Sequence, residues 1–201
     1  QTGNTYYLYD APTGFTGQQV MTSSTTGTLT TGTYTTGSLT TSTTSTTYTY
    51  YVGAESQLGC PSLVRVPVTV TVNPIPQITN ADIQAICTGN TATISPVNNF
   101  TIGVTNNWSS AAVAGITGHA TTGSSNVTET LINTTTTPQT LVYTYTPTAA
   151  GCAGTTQQFT VTVNPAPTMS SPTNTTICSE NALSFNLNTN IPGSTFNWIA
   201  S

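Results

Sequence analysis

The residues able to do chemistry in this chain are few. Its 201 residues include one histidine, His119, four cysteines, Cys60, Cys87, Cys152 and Cys178, and five carboxylates, Asp10, Glu55, Asp82, Glu129 and Glu180. A Ser–His–Asp relay needs a carboxylate to orient the imidazole, and a Cys–His dyad needs a reactive thiol. His119 stands in a Gly-rich turn, where a lone histidine reads as exposed filler, and the cysteines recur at repeat spacing, which makes them structural. The carboxylates are scattered, so neither the paired acids of a glycosidase nor an acidic calcium loop is spelled out. Zinc-ligand spacing of Cys and His is missing, as is a phosphate-cradling glycine loop ahead of a helix. The expectation is a chain with no catalytic centre, no metal and no cofactor.

Trp108 and Trp198 would make sugar-stacking platforms if exposed. Each follows an asparagine, and they stand 90 residues apart. A repeat-locked tryptophan with apolar neighbours and a large area to bury fits a core better. Asn107, Asn126, Asn133 and Asn174 head Asn-x-Ser/Thr sequons, glycan acceptors in a eukaryotic secretory chain; in a sequence this rich in Thr and Asn they read as coincidence.

Charged residues are only 3% of the chain, with a single basic side chain, Arg65, against about 25% in an ordinary soluble domain. One cation cannot neutralise a run of phosphates, which argues against nucleic-acid binding, and no basic patch exists for anionic lipid. No apolar run reaches the ~18 residues of a membrane span, so no membrane insertion is expected. Thr, Ser, Asn and Gln must carry solubility. Little on such a surface titrates or is screened, which suits a secreted material, and the cysteine pairs favour an oxidising compartment.

The elements that position these residues are organised around Val68-Thr-Val-Thr-Val-Asn-Pro-Ile-Pro76, which returns 91 residues later as Phe159-Thr-Val-Thr-Val-Asn-Pro-Ala-Pro167. Val68, Val70 and Val72 alternate with Thr69 and Thr71, the period of a half-buried strand. Proline then stops the ladder and stiffens the connector. Ile86-Cys87 returns as Ile177-Cys178, Gly59-Cys60 as Gly151-Cys152, and Tyr51 and Tyr143 stand nine residues before Cys60 and Cys152. This phase divides the chain into the C-terminal part of one repeat (1–74), a complete repeat (75–165) and the N-terminal part of the next (166–201). The chain thus starts and stops inside repeats.

Residues 5–9 and 18–21 read as strands of the first segment. Between Thr22 and Thr47 the sequence is close to low complexity, with Gly27, Gly32 and Gly37 punctuating strand-forming Thr; two sheet strands and a turn are the plain reading, O-glycosylation or a flat Thr array binding ice or crystalline polysaccharide the sharper ones. Strands follow at Tyr48–Val52 and Leu63–Val72. The middle repeat gives about seven short strands, near Pro76–Thr79, Thr91–Ser95, Val104–Ser109, Ala112–Ile116, Val127–Leu131, Leu141–Thr146 and Gln157–Val163. No stretch has a 3.6-residue period. The fold class is all-β, with tandem immunoglobulin-like β-sandwich domains.

The order Cys87, Trp108, Cys152 invites comparison with the immunoglobulin pattern, with Trp108 and Trp198 as core residues and Tyr143 as a tyrosine corner. The simplest disulfide is Cys87–Cys152, leaving the partners of Cys60 and Cys178 outside the segment. Against it, these positions precede the second strand and follow the sixth, which tend to lie at opposite ends of a sandwich. Bonds between adjacent repeats, or to repeats outside this segment, are the alternatives.

Tyr143-Thr-Tyr-Thr-Pro-Thr-Ala-Ala-Gly-Cys-Ala-Gly154 with Phe159-Thr-Val-Thr-Val-Asn-Pro165, and Ile86-Cys-Thr-Gly-Asn90, resemble the PKD-like repeats of secreted Bacteroidota surface proteins. Tyr7-Leu-Tyr-Asp-Ala-Pro-Thr-Gly14 and Val66-Pro-Val-Thr-Val-Thr-Val72 resemble the related Ig-like repeat. The Thr-rich stretch 22–47 is longer and simpler than that pattern. The resemblance implies a large, type IX-secreted, extracellular cell-surface protein of the gliding-adhesin or surface-filament kind, in which such modules are non-catalytic spacers. The expected partners are neighbouring repeats, identical chains in a fibre through strand edges that lack Lys, and a surface or glycan ligand. The competing function is a carbohydrate-binding module of a secreted polysaccharide-degrading enzyme.

Overall fold

The computed structural model describes residues 5–9, 19–23, 39–41, 43–56, 58–60, 62–171 and 174–199. Most of the Thr-rich stretch lies outside the described residues, as does Asp10-Ala-Pro-Thr-Gly14, whose residue types predict a turn. The chain divides into two compact units, Gln1–Ile75 and Pro76–Ser201. Every regular element among the described residues is a strand.

In the first unit β1 (Thr5–Tyr9), β2 (Gln19–Ser23), β3 (Thr46–Glu55) and β4 (Val66–Val72) form an antiparallel sheet in the order β2-β1-β3-β4. Tyr48, Tyr50 and Val52 stand opposite Val70, Val68 and Val66, so the apolar side chains share one face. Thr47 stands opposite Thr71, and their hydroxyls meet at 3.3 Å. Thr140 and Thr162, and Thr91 and Thr130, make the same exposed cross-strand contact in the second unit. Paired hydroxyls thus take the place that cross-strand ion pairs hold on more highly charged sheets.

The second unit is a two-layer sandwich. Its larger sheet runs β5 (Ile83–Cys87), β14 (Gln157–Asn164), β12 (Gln139–Ala149), β7 (Val104–Ser110) and β9 (Thr122–Ser124), with β13 (Cys152–Ala153) paired to the end of β12. Across from it, β6 (Thr91–Ile94) pairs with β10 (Val127–Thr130), and β8 (Ile116–Thr117) with β11 (Ile132–Asn133). The core fills the gap: Ala92, Ile94, Val127 and Leu131 from one layer meet Trp108, Leu141, Tyr143, Tyr145, Phe159, Val161 and Val163 from the other. Period-two burial explains the sequence of β12 and β14, where alternate residues are apolar and buried.

Three features differ from the sequence expectation. Pro76–Thr79 is not a strand; only Ile78 forms a bridge, to Asn98, and the strand beside β14 is β5, paired in parallel. Ile83 is exposed while Gln84 and Ile86 turn inward, so the apolar alternation of β5 gives no simple signal. Second, Ala112–Ile116 turns through an Ile116-to-Val113 backbone bond and only Ile116–Thr117 pairs, while Thr122–Ser124 form a strand, β9, that is not among the seven expected. Third, β12 is longer than expected and ends in a two-residue turn whose central residues, Ala150 and Gly151, both have positive φ, at 48° and 81°; that conformation matches the twist of a tight hairpin.

One pattern occurs twice. Gln77 N–H donates to Asn99 Oδ1, Asn99 N–H to the Gln77 carbonyl and Thr79 N–H to the Val97 carbonyl, at 2.9, 2.9 and 2.7 Å. At positions 91 residues on, Thr168 N–H donates to Asn190 Oδ1, Asn190 N–H to the Thr168 carbonyl and Ser170 N–H to the Asn188 carbonyl, at 2.7, 3.3 and 2.9 Å. The bridge Ile78–Asn98 likewise returns as Met169–Thr189.

Candidate functional site

Among the described residues, polar and aromatic side chains meet in the core of the second unit. Trp108, on β7, is flanked in its sheet by Tyr145 of β12 on one side and Gly123 of β9 on the other. A Cβ on Gly123 would come within 2.6 Å of Trp108 Cε2 and 3.0 Å of Nε1, so the indole lies directly on the β9 backbone. Tyr143 meets Trp108 edge-on with centroids 5.4 Å apart, and Tyr145 meets Phe159 in the same way at 5.2 Å; such edge contacts match the ring quadrupoles.

Tyr143 donates its hydroxyl to Glu129 Oε2 at 2.7 Å, and Glu129 Oε1 accepts the Ala120 N–H at 3.0 Å. Burial, with the Glu129 bond and charge beside it, holds the Tyr143 phenol well above the usual tyrosine range. Burial likewise pushes Tyr145 up to about 12. The Tyr145 hydroxyl lies by the Val127 backbone but outside good hydrogen-bond geometry. Both phenols are therefore neutral, and of the two Tyr143 is the one that donates to a fixed partner. Tyr143 bonds a side-chain carboxylate, where a tyrosine corner bonds backbone; the tyrosine-corner expectation is corrected on that point. Glu129 carried no sequence signal, being a solitary acid on a Thr-rich strand.

Asn133 is the other buried polar centre. Its Nδ2 donates to the carbonyls of Thr137 and Val163, both at 2.8 Å, and its Oδ1 accepts from Thr135 N–H and Oγ1 at 2.9 and 2.8 Å. Every hydrogen-bonding position on this amide is taken, so the sequon residue is a structural staple in the folded domain.

Trp108 is 8% exposed and Tyr143 fully buried, whereas Trp198 is 79% exposed, unlike the core position expected for it. His119 is half-buried, its Nδ1 3.2 Å from the Ala120 carbonyl, and so is not the exposed filler expected.

All four cysteines are free thiols. Cys87 stands opposite Asn164 at one end of β14, while Cys152 stands opposite Ala149, past the other end. At about 3.3 Å per residue the length of β14 holds them more than about 20 Å apart, against a Cα–Cα limit of about 7 Å for a disulfide. The expected Cys87–Cys152 bond is not formed, and the topological objection to it describes the fold. Among the described residues no group of three or more His, Cys, Asp and Glu could hold a metal ion, and no helix is long and apolar enough to cross a membrane.

Fold and core together define an all-β, immunoglobulin-like sandwich whose polar groups lock its own layers together. Residues 84–167 match the family model of the PKD-like domain, a non-catalytic structural fold commonly found outside cells. No curated protein matches the chain.

Proposed function

We propose that the chain is a structural segment of tandem repeats in a long extracellular stalk, adhesin or filament at a cell surface. The observation that carries this reading is the hydrogen-bond pattern around Gln77 and Asn99 that returns around Thr168 and Asn190 after the second Asn-Pro-x-Pro. On this reading residues 1–74 end one repeat, 75–165 are a complete one, and 166–201 begin another, in which Trp198 takes the place of Trp108. The PKD-like match over 84–167 supports the middle repeat. The Bacteroidota, type IX-secreted setting belongs to the proposal and rests on the sequence resemblance, as do neighbouring repeats and identical chains as partners. A polar, nearly uncharged surface with hydroxyl pairs fits a material exposed to changing pH and salt.

The second reading is a carbohydrate-binding module, and the exposed Trp198 is the observation that favours it. A glycan array separates the two. The stalk reading expects no specific binding, whereas micromolar binding abolished by Trp198→Ala in a chain that stays folded supports the module.

A further inference from the structure

Gly154 follows β13 at a place with no room for a side chain. A Cβ there would run into the carbonyl oxygen of Pro76 and lie 2.9 Å from Pro147 Cγ. Pro76 and Pro147 are both fully buried. Gly154 donates its N–H to the Pro147 carbonyl at 2.8 Å. In an antiparallel strand a residue's N–H and C=O point to the same side, so a proline whose carbonyl faces Gly154 removes no bond from the ladder with β7. Pro76 in turn brings no N–H that burial would leave without an acceptor.

The second connector supplies a comparison within the same molecule. Pro167 occupies the position of Pro76 in Asn164-Pro-Ala-Pro167, and the residues after it make the same backbone and asparagine bonds as those after Pro76. Pro167 is nevertheless exposed. Those bonds alone therefore do not bury the proline. Against Pro76 lies the strand end that carries Pro147 and the side-chain-free Gly154.

We propose that Pro147 and Gly154, brought together where the β12–β13 hairpin turns toward β14, form a seat for the second proline of an Asn-Pro-x-Pro connector. The ligand is an extended Pro-x-Pro segment of the same chain, and the connector is folded into the domain it enters. Its extension to other connectors rests on the tandem-repeat reading above.

Backbone amide relaxation by NMR on the whole chain tests the seat, read at Ile75, which lies between the two prolines. The native chain should give an order parameter near about 0.85 at Ile75, falling below about 0.6 in Gly154→Ala and in Pro76→Gly while β12 and β14 stay ordered. Pro167→Gly should leave Ile75 unchanged. Pro76→Gly adds no atom to the core and carries the test if Gly154→Ala does not fold. Global unfolding by Pro76→Gly, with Pro167→Gly native, also makes the connector part of the fold. A mobile Ile75 in the native chain, order retained in both seat variants, or equal effects of Pro76→Gly and Pro167→Gly would overturn the seat. None of these outcomes bears on whether the chain is a stalk, which scattering tests separately.

Discussion

Tyr143 and Tyr145 occupy alternate positions on one strand and the same buried cluster, yet their hydroxyls are differently placed. Tyr143 donates to a carboxylate, whereas the Tyr145 hydroxyl has no well-formed partner. A hydrogen bond to a charged group contributes about 1.5–3 kcal/mol, while deleting a poorly paired buried hydroxyl also removes its desolvation cost. Tyr143→Phe should therefore lower the unfolding free energy by that order, seen as a lower urea midpoint with an unchanged slope, and Tyr145→Phe should be near neutral or stabilising. Equal losses would remove Glu129 from the account. The two phenols also set an alkaline limit. Both are raised in the folded state, so their contribution is intact below the unfolded pKa near 10 and is lost as pH rises from there toward the folded values. Each gives a slope of about 1.4 kcal/mol per pH unit over its window, and for Tyr145 the window closes at about 12. Denaturation midpoints measured through this range should fall in the native chain and fall less steeply in Tyr143→Phe.

At the scale of elements, the edge of β6 is guarded in a way that composition conceals. Edges are often blocked by lysine, and this chain has none. Instead the Gln84 side-chain amide reaches from β5 to Thr93, donating to its carbonyl and accepting its N–H at 3.4 Å. Asn80 does the same farther along, donating to the Ser95 carbonyl at 3.0 Å and accepting from Val97 N–H at 2.7 Å. These amides imitate a neighbouring strand. Removing both, in Asn80→Ala with Gln84→Ala, should leave the core folded but expose backbone donors and acceptors, giving concentration-dependent association in sedimentation where the native chain shows less. An unchanged sedimentation profile would mean that the edge is protected by something else.

The same strands show what a sequence can and cannot convey. Apolar and polar residues alternate plainly in β12 and β14, and Trp108 and Tyr143 stand out by repeat spacing, because a strand buried on one face writes its period into the sequence. β5 was illegible because Ile83 faces solvent while Gln84 turns inward to bond backbone. Glu129 was illegible because one acid with a distant tyrosine partner has no spacing to recognise. Repeat phase cannot pair the cysteines, because it reports equivalence between repeats and carries no distance within one. The seat at Gly154 depends on contact between Pro76 and a strand end far along the chain, which no local pattern encodes.

At the scale of the whole molecule, the stalk proposed above requires repeats like the one at 75–165 to be joined in line through short proline connectors. Asn-Pro-Ile-Pro76 and Asn-Pro-Ala-Pro167 restrict backbone rotation, and the scarcity of charge removes long-range repulsion between neighbours and between chains. Small-angle X-ray scattering on a chain carrying three complete repeats is the most direct test. A stalk should give a rod-like profile, with a cross-section set by one sandwich and a length that grows in proportion to repeat number. A broad ensemble running from compact to extended forms, as expected of beads on flexible tethers, would contradict it.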